Sequence, residues 1–311
     1  MDNLKTLIVA ILLLSATFFI TQSGFAADKS MSATNASLAA TPTVKELVSF
    51  VESAAAYAKE NGKDKAFKEF DNKTGQFVKG DLYTFAVDFN ATMLANGKYP
   101  ARIGKNWYNE TDPNGVQFLK NEIEALRRGN SFFDYYMFPN PAHNNKPELK
   151  LGYFVKVDDN WYLGSGIYLS NISTSFDQKD RDDLVAFVKE ARKFAKENRK
   201  QKVLEIFNDP KGNFTRNGRY IFATEHGGRT LAFPVLRELI GKNRLDEQDP
   251  NGVKSNREAS DVARRGMGFH YVLYPDPSNN TTQRLKLEYV ADVDGTWFIG
   301  SGIYAKGEET S

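Results

Sequence analysis

Trp161–Tyr168 reads WYLGSGIY and Trp297–Tyr304 reads WFIGSGIY, one phrase written twice with only Tyr/Phe and Leu/Ile exchanged. Glycines two apart in an apolar run weaken a strand, and they mark places where another group must come close. The flanking sequence repeats as well. YAKEN at Tyr57 answers FAKEN at Phe194, YTFA at Tyr83 answers YIFA at Tyr220, and IGKN at Ile103 recurs at Ile240. DPNGV recurs at Asp112 and Asp249, and RRG at Arg127 and Arg264, all at an offset of 137. Past one deletion near Gly268 the offset is 136: FPNP at Phe138 answers YPDP at Tyr274, and LKLGY at Leu149 answers LKLEY at Leu285. Chance does not hold such a register. The chain is a tandem duplication, with copies near residues 43–172 and 178–305.

Each copy opens on an amphipathic pattern. Thr43 and Glu46 form a capping-box signature, and Leu47, Phe50, Val51, Ala54 and Ala58 share one helical face. In the second copy Asp180 is the expected cap, before Leu184, Phe187, Val188, Ala191 and Ala195. Two short alternating runs follow, joined by turns at 88–92 and at Gly227-Gly228. Then come an irregular segment, a short helix after DPNG that Asp112 is expected to cap, and three strands near 132–138, 149–157 and 161–169. This order predicts an α+β fold, with a five-stranded antiparallel sheet and a long N-terminal helix in each copy. Gly164 and Gly166 share a face of the last strand, as do Gly300 and Gly302. We expect that face to receive the long helix.

The 311 residues, 41% hydrophobic and 26% charged, suit an ordinary folded chain of about two domains. A net charge of +2 carries no footprint for nucleic acid. The absence of cysteine excludes disulfides and thiol chemistry. Lys5, the apolar run at 7–20 and small residues at 24–27 read as a signal peptide over 1–27, with an uncleaved N-terminal anchor as the competing reading. Residues 28–42 form a linker and 306–311 a tail. Eight Asn-x-Ser/Thr sequons, starting at Asn35, Asn72, Asn90, Asn109, Asn171, Asn213, Asn279 and Asn280, agree with a secreted, periplasmic or cell-surface location for a glycoprotein, or simply with an Asn-rich surface.

The ordered set GDLYTFAVD, IGKN, DPNG, RRG, YxxPNP, LKLGYFVKV and WYLGSGIY resembles the Cache domain family, specifically tandem single Cache domains of the second type. The likeness covers nearly all of residues 43–305, twice. It implies two PAS-like extracytoplasmic sensor modules that bind short carboxylates or amino acids between the sheet and the irregular segment. No kinase or methyl-accepting region follows Tyr304, so the signal is expected to pass to a membrane partner. The alternative is a structural or cell-surface protein using the modules as spacers.

Candidate ligand-binding residues follow from the segment said to line such a pocket. Asn106 and Asn243 offer amide donors, or are turn residues bound to their own backbone. Arg102 and Arg237 lie beside them, and Trp107 is answered by Arg244, a cation suited to a carboxylate. Tyr135 and Tyr271 offer hydroxyls or pack in the core, and His270 replaces Asp134. On the fourth strand Tyr153 and Tyr289 are taken as wall residues, with Lys150 and Lys286 on the opposite, exposed face. Divergence at Trp107/Arg244, Asn96/Phe233 and Asp134/His270 implies different ligands, or one working and one degenerate site. No catalytic residues, metal ligands or cofactor are expected. His143, His226 and His270 lack zinc spacing, and Ser165 lacks the strand–turn–helix setting of a nucleophile elbow.

Overall fold

The computed structural model describes residues 42–276 and 283–307. The expected signal or anchor at 1–27, nearly all of the linker, the end of the tail and the sequons at Asn35, Asn279 and Asn280 lie outside the described residues. The first copy runs α1 (Val44–Asn61), α2 (Lys63–Phe70), β1 (Val78–Lys79), β2 (Leu82–Tyr83), β3 (Phe85–Asp88), β4 (Met93–Asn96), α3 (Phe118–Arg128), β5 (Ser131–Asn140), β6 (Lys146–Lys156) and β7 (Trp161–Tyr168). The second runs α4 (Gln178–Glu197), α5 (Lys200–Phe207), β8 (Thr215–Arg216), β9 (Arg219–Tyr220), β10 (Phe222–Glu225), β11 (Thr230–Ala232), α6 (Ser255–Arg264), β12 (Met267–Pro275), β13 (Gln283–Asp292) and β14 (Trp297–Tyr304).

Each copy builds a five-stranded antiparallel sheet, ordered β4-β3-β7-β6-β5 and β11-β10-β14-β13-β12, so the repeated phrase is the central strand of both. The Thr43 hydroxyl accepts from the Glu46 amide and the Glu46 carboxylate accepts from the Thr43 amide, closing the capping box. Such a cap stabilises a helix start by about 1 kcal/mol. Gly62, at φ +78°, ends the helix in a conformation that costs glycine little. The second long helix starts earlier than its sequence suggests. Asp177 sits at the N-cap, while Asp180 lies in the first turn and pairs with Arg219 at 3.3 Å. A carboxylate is favourable in either place, because both face the positive end of the helix dipole.

The paired N-terminal helices of each copy, α1 with α2 and α4 with α5, cover one face of its sheet. Trp161 packs edge-on against Phe67 of α2, and Tyr153, opposite Ser165 in the ladder, reaches Glu52 of α1 at 2.8 Å. Trp161, Leu163, Ser165 and Ile167 therefore look toward the helices. The glycines do not, which corrects the sequence expectation. A Cβ on Gly164 would lie 2.6 Å from the Phe154 ring, and one on Gly166 would lie 2.8 Å from Cε of Lys150. Gly302 stands in the same relation to Lys286, at 2.6 Å. The glycines occupy the far face, where they let long side chains lie flat on the sheet. The small residue under the helix is Ser165, matched by Ser301, and both hydroxyls are buried with no partner among the described residues.

The two copies join through reciprocal contacts, α3 against α6 and β5 against β12. Asp112 does not cap α3, whose N-cap is Gln117. One carboxylate oxygen of Asp112 accepts from the amides of Asn114 and Val116, and the other accepts from the Met137 amide and the Tyr271 hydroxyl of the second copy at 2.7 Å. Asp249 likewise accepts from the amides of Asn251 and Val253 and from the Tyr135 hydroxyl of the first copy at 2.6 Å. The DPNG turns are thus latches, each closed by the other copy's tyrosine. Gly115 and Gly252, at φ +90° and +89°, also leave room for Phe269 and Phe133 from across the interface.

Candidate ligand-binding site

On the face away from the long helices, each sheet and its irregular segment enclose a small cavity. In the first copy Phe85, Met93, Asn96, Arg102, Glu122 and Phe138 are among its walls, around about 20 Å³ open to the centre of a water. The equivalent space in the second copy is about 40 Å³ and is lined by Thr224, Phe233, Arg244, Tyr274, Lys286 and Glu288, among others. Each has room for a few waters at most, since a single water requires about 10–15 Å³.

The first cavity is short of acceptors. Nε of Arg102 is buried and has no partner among the described residues, while its two Nη groups form a fork on Glu110. The guanidinium lies 3.8 Å from the centroid of Trp107, whose Nε1 donates to the Arg102 carbonyl. Nδ2 of Asn96 finds only the Met93 sulfur at 3.8 Å, a weak acceptor, while its Oδ1 holds the amides of Lys98 and Tyr99. Behind Tyr83 and Phe138 lies Lys150, fully buried. Its ammonium donates to the Tyr83 hydroxyl at 2.9 Å and sits 4.2, 4.9 and 5.5 Å from the rings of Tyr83, Tyr168 and Phe138. Among the described residues no carboxylate pairs with it, and burial pulls its pKa down to about 7. Two buried donors thus face one small space with no anion in it, and the Lys150 ammonium stands behind the rings that wall it. Glu122 does not fill that role, because burial raises its carboxyl well above the usual range and it accepts from the Tyr162 hydroxyl.

In the second cavity these groups are exchanged or neutralised. Leu239 stands for Arg102 and Phe233 for Asn96. Lys286, matching Lys150, pairs with Glu288 at 2.9 Å. Burial disfavours both charges, yet each is held ionised by the other, so the lysine pKa is raised and the carboxyl pKa lowered. Arg244 pairs with Glu247 at 2.5 Å, the counterpart of Glu110, so the cation on that carboxylate has moved from one position to another.

The lysines expected at the surface are therefore buried on the cavity face, and the tyrosines beside them point the other way. Tyr153 packs against Phe133 and Tyr289 against Phe269, on the helix side. Of the other candidates, Arg102 lines the first cavity with Trp107 stacked on it, and Arg244 lines the second. Asn106 and Asn243 are turn residues. Each amide donates to a carbonyl of the preceding hairpin, Asn90 at 2.6 Å and Gly227 at 2.8 Å, and each Oδ1 holds a local amide. Arg237 is exposed on an outer groove. Tyr135 and Tyr271 serve the latches. His270 is buried, with Nε2 at 3.5 Å from Glu288 and Nδ1 at 3.9 Å from Glu258. The sequence reading missed Lys286 and Glu288 as cavity residues and Lys150 as the buried cation behind the first cavity, and it singled out Asn96 only for its divergence from Phe233. The one-letter difference between LKLGY and LKLEY was the available signal.

Two five-stranded antiparallel sheets, each with long helices on one face and a small cavity on the other, form the tandem PAS-like arrangement of Cache sensor modules. The chain belongs to the Cache domain family, whose profile matches residues 43–309. It is 28% identical over 141 residues to the sensor histidine kinase MctS of Rhizobium johnstonii, covering 45% of this chain and 27% of the kinase. It is also 28% identical over 103 residues to the methyl-accepting chemotaxis protein CtpM of Pseudomonas aeruginosa, covering 33% of this chain and 18% of that protein. The chain thus spans about a quarter or less of the length of these relatives. A solved methyl-accepting chemotaxis protein from Vibrio parahaemolyticus is 27% identical, with a TM-score of 0.37, over 41% of this chain and 88% of that one. Membership in a sensor family favours ligand binding over the spacer reading. Among the described residues no helix is long and apolar enough to cross a membrane.

Proposed function

We propose that the protein is an extracytoplasmic sensor that binds a short carboxylate in its first copy and passes the signal to a membrane partner. The observation that carries this reading is the pair of donors, Nε of Arg102 and Nδ2 of Asn96, on one small cavity without an anion, with the Lys150 ammonium directly behind its Tyr83 and Phe138 walls. A carboxylate supplies acceptor oxygens and a charge, and a buried charge-assisted hydrogen bond is roughly twice as strong as a neutral one. Phe85, Met93 and Phe118 leave apolar walls for a short acyl chain. The resting volume is too small for such a ligand, so entry requires the segment between β4 and α3 to move. That movement is the step a partner would read. Calorimetry with acetate, propionate and a panel of amino acids on the folded protein tests the proposal. We expect a carboxylate to bind and Lys150→Met to weaken it by at least tenfold with the fold retained. Unchanged affinity in Lys150→Met would refute the site.

A further inference from the structure

The second cavity carries its own carboxylate. Glu288 occupies the position of Gly152, and its side chain meets Lys286 at 2.9 Å on the face where Lys150 stands without an acid. This is not a lone exchange. A Cβ at Gly152 would fall 2.5 Å from the Phe154 ring and 2.9 Å from the Tyr136 ring, so a glutamate has no room in the first copy. The residues matching those two rings are Val290 and Val272, which open the space that Glu288 fills. Gly302 completes the seat, since a Cβ there would lie 2.6 Å from Cε of Lys286 and 2.9 Å from Cγ of Glu288. Three positions therefore differ together, and the sum of the changes is one carboxylate placed beside the conserved cation of the duplication.

We infer that Glu288 is a built-in surrogate for the ligand's carboxylate, which holds the second copy in the occupied arrangement and makes it blind to free carboxylates. The inference rests on the reading of the first copy as a carboxylate site. Lys286, with Tyr220 at 3.4 Å and the rings of Tyr274 and Tyr304 each at 5.6 Å, is otherwise surrounded as Lys150 is. The chain would then respond through one copy and use the other as a fixed reference.

Calorimetry with acetate and propionate on the full chain tests it. Wild type is expected to bind one carboxylate per chain, Glu288→Gly two, and Glu288→Gly with Lys286→Met one. Adding Lys150→Met separates the two ideas. Binding lost in Lys150→Met but not doubled by Glu288→Gly overturns this inference and leaves the proposed function standing. Binding gained by Glu288→Gly in the Lys150→Met background supports the inference even if the wild-type chain binds nothing. No binding in any variant overturns it. Should Glu288→Gly fail to fold, ¹⁵N signals of the lysine side chains in the wild type decide. Added acetate is expected to shift the Lys150 signal and leave that of Lys286 in place, and movement of the Lys286 signal overturns the inference.

Discussion

Lys150 is the most consequential single residue, because a buried ammonium without a counter-charge destabilises the state that contains it. Its pKa of about 7 in the folded protein lies below the ordinary lysine value of 10.5. Between these values the unfolded chain binds a proton that the folded chain does not, so this group's contribution to stability rises with pH across that window. Below about pH 7 the penalty is present in full, on the order of a few kcal/mol for a shift of this size. We expect Lys150→Met to be more stable than wild type at pH 6, with the difference closing by pH 10, as read from urea denaturation. A carboxylate bound beside Lys150 restores its proton. Binding at pH 8 should therefore take up a proton, visible as a calorimetric enthalpy that depends on the buffer. The affinity should fall by up to about tenfold per pH unit above 7. A buffer-independent enthalpy would place the ligand away from Lys150.

At the scale of elements, the central strand divides its labour by face. Ser165 meets α1 and Gly166 meets Lys150, so neighbouring residues of GSGIY have opposite tolerances. The Ser165 hydroxyl is buried with no partner among the described residues, and removing such a group is neutral or stabilising. We expect Ser165→Ala, and Ser301→Ala in the second copy, to leave the melting temperature unchanged or higher. Gly166→Val drives a side chain into the Leu151 carbonyl and the lysine stem, 2.8 Å from both, and overpacking of this kind costs about 1–3 kcal/mol. Its melting temperature should drop and carboxylate binding should be lost with it. A Gly166→Val protein of unchanged stability and affinity would refute the placement of Lys150 on the glycine floor.

The molecule as a whole is closed by exchange between its halves. Tyr271 donates to Asp112 and Tyr135 to Asp249, and Arg128 of α3 meets Asp261 of α6 at 2.8 Å. Burial raises the Asp112 carboxyl, while the Tyr271 hydroxyl and three amides favour its ionised form. Tyr271→Phe removes one of those donors, and a hydrogen bond to a charged group is worth about 1.5–3 kcal/mol. We expect Tyr135→Phe with Tyr271→Phe to lower stability and to split a single unfolding transition into two, measured by calorimetry. One cooperative transition in the double variant would show that the latches do not couple the copies.

Periodicity and repetition by themselves determined the duplication, the helix faces, the order of elements along the chain and the α+β class, because these depend on spacing that a linear sequence displays. The capping box at Thr43 and the hairpin at Gly227-Gly228 are local chemistry and were equally legible. Which face of the last strand meets the helix was not. Alternation places Gly164 with Gly166 and Lys150 with Phe154, but it assigns neither pair to a side, and the prior that lysines are exposed pointed the wrong way. The prior failed because a lysine stem can lie along a glycine floor and place its ammonium among aromatic rings. Only tertiary structure turned DPNG from a helix cap into a latch, since its partner tyrosine is more than a hundred residues away. The same holds for the cavity. Arg102 was legible from its segment, whereas the donors that complete the site come from strands whose side chains meet only once the sheet has formed.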